Sequence, residues 1–132
     1  MKDTLRPGLR GEASHRVVSA ELVSHFDPAG PPVFGSPFML MLMEFAAFNA
    51  IQPHLDLGEQ SLGVGFEFEH LAATPAGALV TARAEILEVD GRRVLCAIEA
   101  HDEQEQIGRG RHVRHVVDME RFLKRLRRKM DR

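Results

Sequence analysis

The chain has one cysteine among its 132 residues, Cys96, so no disulfide can close within it and no cysteine-based zinc cluster can form. That suits a protein kept in a reducing cytoplasm. The apolar neighbours of Cys96 in VLCAIEA predict a buried strand thiol rather than a nucleophile. No run approaches the ~20 apolar residues of a helical membrane span. The first residues, MKDTLRPGLRGEASHR, hold no apolar core of a secretory signal, so neither a membrane partner nor secretion is expected. Phosphate-cradling glycine patterns are missing too, both the P-loop and G-x-G-x-x-G. No G-x-S-x-G elbow surrounds Ser36, Ser61 or the serines before Ser36. His112 and His115 of RHVRHVV fall on opposite faces of a strand and make no metal site. The residues therefore point to no metal and no cofactor.

Positive charge is scarce over the body and crowded at the end. The net charge is −2, divided as −7 over residues 1–118 and +5 over residues 119–132. A basic tail on an acidic body is not the basic face that nucleic acid requires, so no nucleic-acid partner is expected. The tail reads as a solvated helical face with cations near a helix C-terminus, or as a set of cations lying near a phosphate-bearing ligand.

What is present changes period in a definite order. HRVVSAELV, His15 to Val23, reads as a first strand, and SHFDPAGPPVFG as a loop rich in proline and glycine. Ser36 suits an N-cap and Pro37 a first helical position. They open a helix over residues 37–52, about 24 Å long, that is apolar on every side and therefore reads as buried. GVGFEFEHLA then alternates with period two, placing His70 on the apolar face with Val64, Phe66 and Phe68, and Glu67 and Glu69 on the other. A hairpin turns at Asp90-Gly91, IGRGRHVRHVV is a last strand, and His101 and Asp102 read as solvated turn residues. Asp118 caps an amphipathic terminal helix with Met119, Phe122, Leu123, Leu126 and Met130 on one stripe.

One full charge, Glu44, stands inside the apolar helix. An ionised group out of water costs several kcal/mol unless paired, so Glu44 predicts either an exposed edge or a partner and a task. A carboxylate deprived of water is a stronger base, and a nearby imidazolium balances its charge. On this reading Glu44 and His70 are the ionisable pair with both members on apolar faces. The order of strand, buried helix, four-stranded antiparallel meander and short helix predicts an α+β fold. A curved sheet would wrap the helix, which is the hotdog architecture, as one domain over residues 1–132. Free sheet edges and a helix needing cover predict a homodimer or a higher oligomer.

Three segments carry a resemblance that covers nearly all of the chain from Val33 onward. VFGSPFMLMLMEFAAFNAI, GEQSLGVGFEFEHLAATPAGALVTARAEILEVDGRRV and AHDEQEQIGRGRHVRHVV resemble the fluoroacetyl-CoA thioesterase-like family of hotdog thioesterases, with EHLAATPAG and EVDGRR the most specific parts. The resemblance implies Ser36, Glu44 and His70 as the catalytic group. It also implies Gly63 beside the thioester carbonyl and Arg114 near the acyl pocket or the coenzyme A arm. The loop before the helix is short, with Phe26 and Phe34 as its aromatics and Phe34 as a candidate substrate contact. An undefined short acyl-CoA is accordingly the implied substrate rather than fluoroacetyl-CoA alone. The residues leave several readings open. Ser36 could cap the helix or orient water, His70 could be a core histidine, and Gly63 and Gly65 could serve a bulge or close packing. Glu44 could be nucleophile or general base. Two functions compete, an acyl-CoA thioesterase and a non-hydrolytic acyl-CoA or acyl-carrier binding module. A pure binder has no need of a buried base, which favours the enzyme.

Overall fold

The computed structural model describes residues 1–131. Five antiparallel strands form one sheet in the order β1-β3-β4-β5-β2. They are β1 (Arg10–Arg16), β2 (Glu59–His70), β3 (Leu79–Asp90), β4 (Arg93–His101) and β5 (Gln106–Asp118). Short α1 (Val23–Phe26) and long α2 (Ser36–Ile51) lie between β1 and β2, and α3 (Met119–Met130) closes the chain. This is the α+β hotdog arrangement, a sheet curled around a central helix.

The first strand lies earlier than the apolar pattern suggests. Ser19–Glu21 form a 3-10 turn and Val23 opens α1, while the less apolar RGEASHR makes β1. The reason is close packing. A Cβ on Gly11 would collide with the backbone of Ala46 and Ala50 on α2, so β1 carries glycine where the helix crosses it, followed on that face by Ala13 and His15, and reads as polar. Val17 and Leu22 are nevertheless core residues.

The second strand departs from the expected meander. Only β3, β4 and β5 are joined as successive neighbours, and β2 pairs with β5 at the far edge. The connection of residues 71–78 turns only at its end, where Ala76-Gly77 lies within a Pro75–Ala78 turn just before β3, so it does not close a hairpin between β2 and β3. A bulge between Gly63 and Gly65 shifts the alternation of β2. Val64 thereby turns outward, 64% exposed. Ser61 and Gly63 before the bulge, and Phe66, Phe68 and His70 after it, share the helix side.

Helix α2 lies mainly over β1, β3 and β4. Met39, Met43, Ala46, Ala47, Ala50 and Ile51 pack on Val80, Ala82, Ala84, Ile86, Val94 and Cys96. Its opposite side is not buried in the single chain, since Met41 is 46% and Phe45 51% exposed. Cys96 is sealed in this core, and burial pushes its thiol up to about 11, which suits an inert structural thiol. Asp118 caps α3 by accepting the backbone N–H of Arg121 at 3.0 Å. The stripe of α3 contains no buried residue.

Candidate active site

Ser36 is the first residue of α2, not its cap; Gly35 takes the N-cap position and no side chain caps the helix. The hydroxyl is directed elsewhere, with Ser36 Oγ 2.7 Å from His70 Nδ1 at the end of β2. Two turns along, Glu44 reaches over β2 toward β5. Its Oε2 lies 3.2 Å from Arg114 Nη1 and 3.8 Å from His112 Nε2. Among the described residues no hydrogen bond or ion pair joins Glu44 to His70. The counter-charge that the sequence led one to seek in an imidazolium is the guanidinium of Arg114.

Gly63 makes this approach possible. A Cβ there would collide with Glu44 Oε2 and lie 3.0 Å from His112 Cε1, so only glycine leaves room for the carboxylate. Gly65 has open space around its Cα, and its carbonyl matters instead. It accepts the Nδ1–H of His112 at 2.9 Å.

Arg114 is 4% exposed. Its Nε donates to Ser61 Oγ at 2.9 Å, its Nη2 to the Ser61 carbonyl at 2.6 Å, and its Nη1 to His112 Nε2 at 3.1 Å. Burial pulls the proton affinity of the guanidinium down, and the Glu44 charge opposes that pull. The ring of Phe48 lies 6.0 Å from the guanidinium carbon. His112 is fully buried, with Phe66 stacked on it at 4.0 Å. Burial holds its pKa below the ordinary value, with Arg114 acting in the same direction.

Sequence reasoning missed His112 and Ser61. The signal lay in RHVRHVV. Period two puts His112, Arg114 and Val116 on one face, but His112 was weighed only against His115, which is exposed on the other. Phe34, expected as a substrate contact, is fully buried in the core of the chain. The exposed aromatic of that loop is Phe26, stacked on Phe38 at 5.8 Å. Two grooves, of about 640 Å³ and 460 Å³, lie elsewhere on the chain, and neither is lined by Ser36, Glu44 or His70. Among the described residues no cluster of three metal-ligating side chains occurs.

A five-stranded antiparallel sheet curled around a central helix, with a short helix closing the chain, defines a hotdog-fold protein of the thioesterase superfamily type. Residues 17–120 match the family model described as fluoroacetyl-CoA-specific thioesterase. The chain belongs to that family. It is 40% identical to the fluoroacetyl-CoA thioesterase of Streptantibioticus cattleyicolor, over 98% of this chain and 97% of that protein. A variant of the fluoroacetyl-CoA thioesterase FlK, solved in complex with acetyl-CoA, superposes with a TM-score of 0.87 at 40% identity, covering 95% of this chain and 98% of the other. A thioesterase superfamily member from Thermus thermophilus superposes with a TM-score of 0.90 at 28% identity, covering 98% and 96%.

Proposed function

We propose that this chain is a cytoplasmic acyl-CoA thioesterase, a single domain over residues 1–132 acting as a homodimer, which hydrolyses a short acyl-CoA to the free acid and coenzyme A. The observation that carries the reading is the Ser36–His70 hydrogen bond on the same side of the sheet as a Glu44 carboxylate fixed by Arg114. With the Ser36 hydroxyl donating to Nδ1, the His70 proton sits on Nε2 and faces the reacting group. Glu44 either attacks the thioester carbonyl carbon or takes a proton from the water that does. The C–S bond then breaks, and the coenzyme A thiolate leaves steadied by a hydrogen bond from the His70 Nε2–H, which stays on the ring; the thiolate takes its proton from solvent or, where Glu44 served as base, from the protonated Glu44. If Glu44 attacked, water next cleaves the resulting anhydride and frees the acid. Gly63 and the buried Arg114 belong to the acyl end, because a guanidinium this enclosed cannot reach solvated phosphates.

The exposed face of α2 and the free edge of β2, where Val64 points outward, support the dimer. The reduced, buried Cys96 supports a cytoplasmic setting, and among the described residues no helix is long and apolar enough to cross a membrane. The short loop with Phe26 as its exposed aromatic supports a range of short acyl groups rather than fluoroacetyl alone. Thiol release should be followed against acetyl-, propionyl-, butyryl- and fluoroacetyl-CoA. Release well above the uncatalysed rate from at least one ester is expected. Silence across that panel, with binding retained, would replace the hydrolase by a binding module.

A further inference from the structure

We propose that His112 is a positioning residue of this site, which aims the Glu44 carboxylate through Arg114; the inference rests on the hydrolytic reading above. His112 cannot touch substrate, being fully buried beneath Phe66. Its Nδ1–H is committed to the Gly65 carbonyl at the bulge, so the Nε2 lone pair faces Arg114 Nη1 at 3.1 Å. Its separation from Glu44, 3.8 Å, is too long for a hydrogen bond, so His112 acts on the carboxylate only through the guanidinium.

The guanidinium is held at all three nitrogens. Ser61 takes Nε and Nη2, while His112 and Glu44 share Nη1. A fork anchored at two corners by Ser61 could still tilt about that edge, and His112 is the contact that stops the tilt. What remains of Nη1 is then directed into the space that Gly63 leaves empty, where the Glu44 carboxylate sits. The bulge gives the same device its geometry. It supplies the carbonyl that sets the His112 tautomer and turns Gly63 and Phe66 to the same side. In this chain of contacts Glu44 is 37% exposed while Arg114 and His112 are sealed, so the network ends at the reacting group.

The test compares three replacements in the full chain. His112→Gln can place an acceptor near Nη1, His112→Asn keeps a donor for Gly65 but falls short of Arg114, and His112→Met keeps bulk without either bond. Steady-state turnover of the best acyl-CoA should fall about 10–100-fold in the Asn and Met variants with KM little changed, and largely recover in the Gln variant. Adding Glu44→Gln to His112→Asn should cost no more than Glu44→Gln alone. Side-chain N–H signals of Arg114, read by NMR without substrate, should exchange slowly in the wild type and the Gln variant and quickly in the Asn variant. Equal turnover in the Gln and Asn variants, or Arg114 signals unaltered in the Asn variant, would overturn the positioning role. A wild type that protects Arg114 but releases no thiol would instead sink the hydrolytic reading. Should the Met variant not fold, the Gln and Asn pair still decides.

Discussion

Glu44 reaches partly into solvent, yet it ends against a guanidinium that is nearly sealed off, and this asymmetry sets what its replacement should do. Glu44→Gln removes the base or nucleophile, and turnover should fall by roughly 10²–10⁴. It also strips Arg114 of its counter-charge, so the melting temperature should fall, by about 1–2 kcal/mol in stability once the exposure of Glu44 is allowed for. His70→Ala should cost a similar factor in rate without that stability loss, and the double variant should lose less than the product of the two factors. Ser36→Ala should be milder, removing the hydroxyl that orients His70 and, because Gly35 occupies the cap, costing little stability. Calorimetry beside steady-state kinetics checks all four. A wild-type rate in Glu44→Gln would make Glu44 structural. His112 adds a pH dependence. Its folded pKa lies below the ordinary 6.5 because burial disfavours the charged ring. The unfolded chain therefore binds more protons as pH falls below that value, and stability is lost on acidification until the folded pKa is passed. Melting temperatures measured from pH 7.5 to 5 should decline, and less steeply in His112→Gln.

At the scale of elements, the terminal helix is the one piece the site does not absorb. Its six cations, Arg121, Lys124, Arg125, Arg127, Arg128 and Lys129, stand in solvent beside the start of β2, where Met119 N–H bonds the Gly58 carbonyl. If they attract the phosphates of coenzyme A, neutralising Arg121 and Lys124 should raise KM more than it lowers kcat. The effect should shrink as salt screens exposed charge. A pantetheine ester without the nucleotide should be indifferent to both changes. Unchanged KM for the full coenzyme A ester would return the helix to a purely solvated role. Arg114, which the resemblance implied near the acyl pocket or the coenzyme A arm, is 4% exposed and on the proposed reading serves the acyl end.

For the whole molecule, one chain leaves Glu44 and His70 only partly covered, and leaves Met41 and Phe45 of α2 and Phe66 of β2 half-exposed. A second copy laid along β2 would cover this surface and end the sheet edge at once. Light scattering at micromolar concentration should give a dimer, and Phe45→Arg should weaken it and reduce turnover together. A monodisperse, fully active monomer would count against the assembly.

Elements with strong local signals were legible from the residues alone. The apolar helix between Ser36 and Pro53, the Asp90-Gly91 hairpin, the Asp118 cap and the buried thiol all follow from period, turn chemistry and burial of apolar surface. The sequence also marked Glu44, because a lone charge in an apolar segment demands a reason. Tertiary structure alone decided what that reason is. A β-bulge is invisible to a period-two pattern, and it moved Val64 out while keeping Gly63 and His70 on the same side. The pairing of β2 with β5 carried no turn signal. It set Gly63 opposite Arg114, bringing the guanidinium, rather than His70, to the carboxylate. The first strand was displaced for the same kind of reason, since β1 must be small where α2 approaches it, and close packing erases the apolar alternation by which strands are recognised.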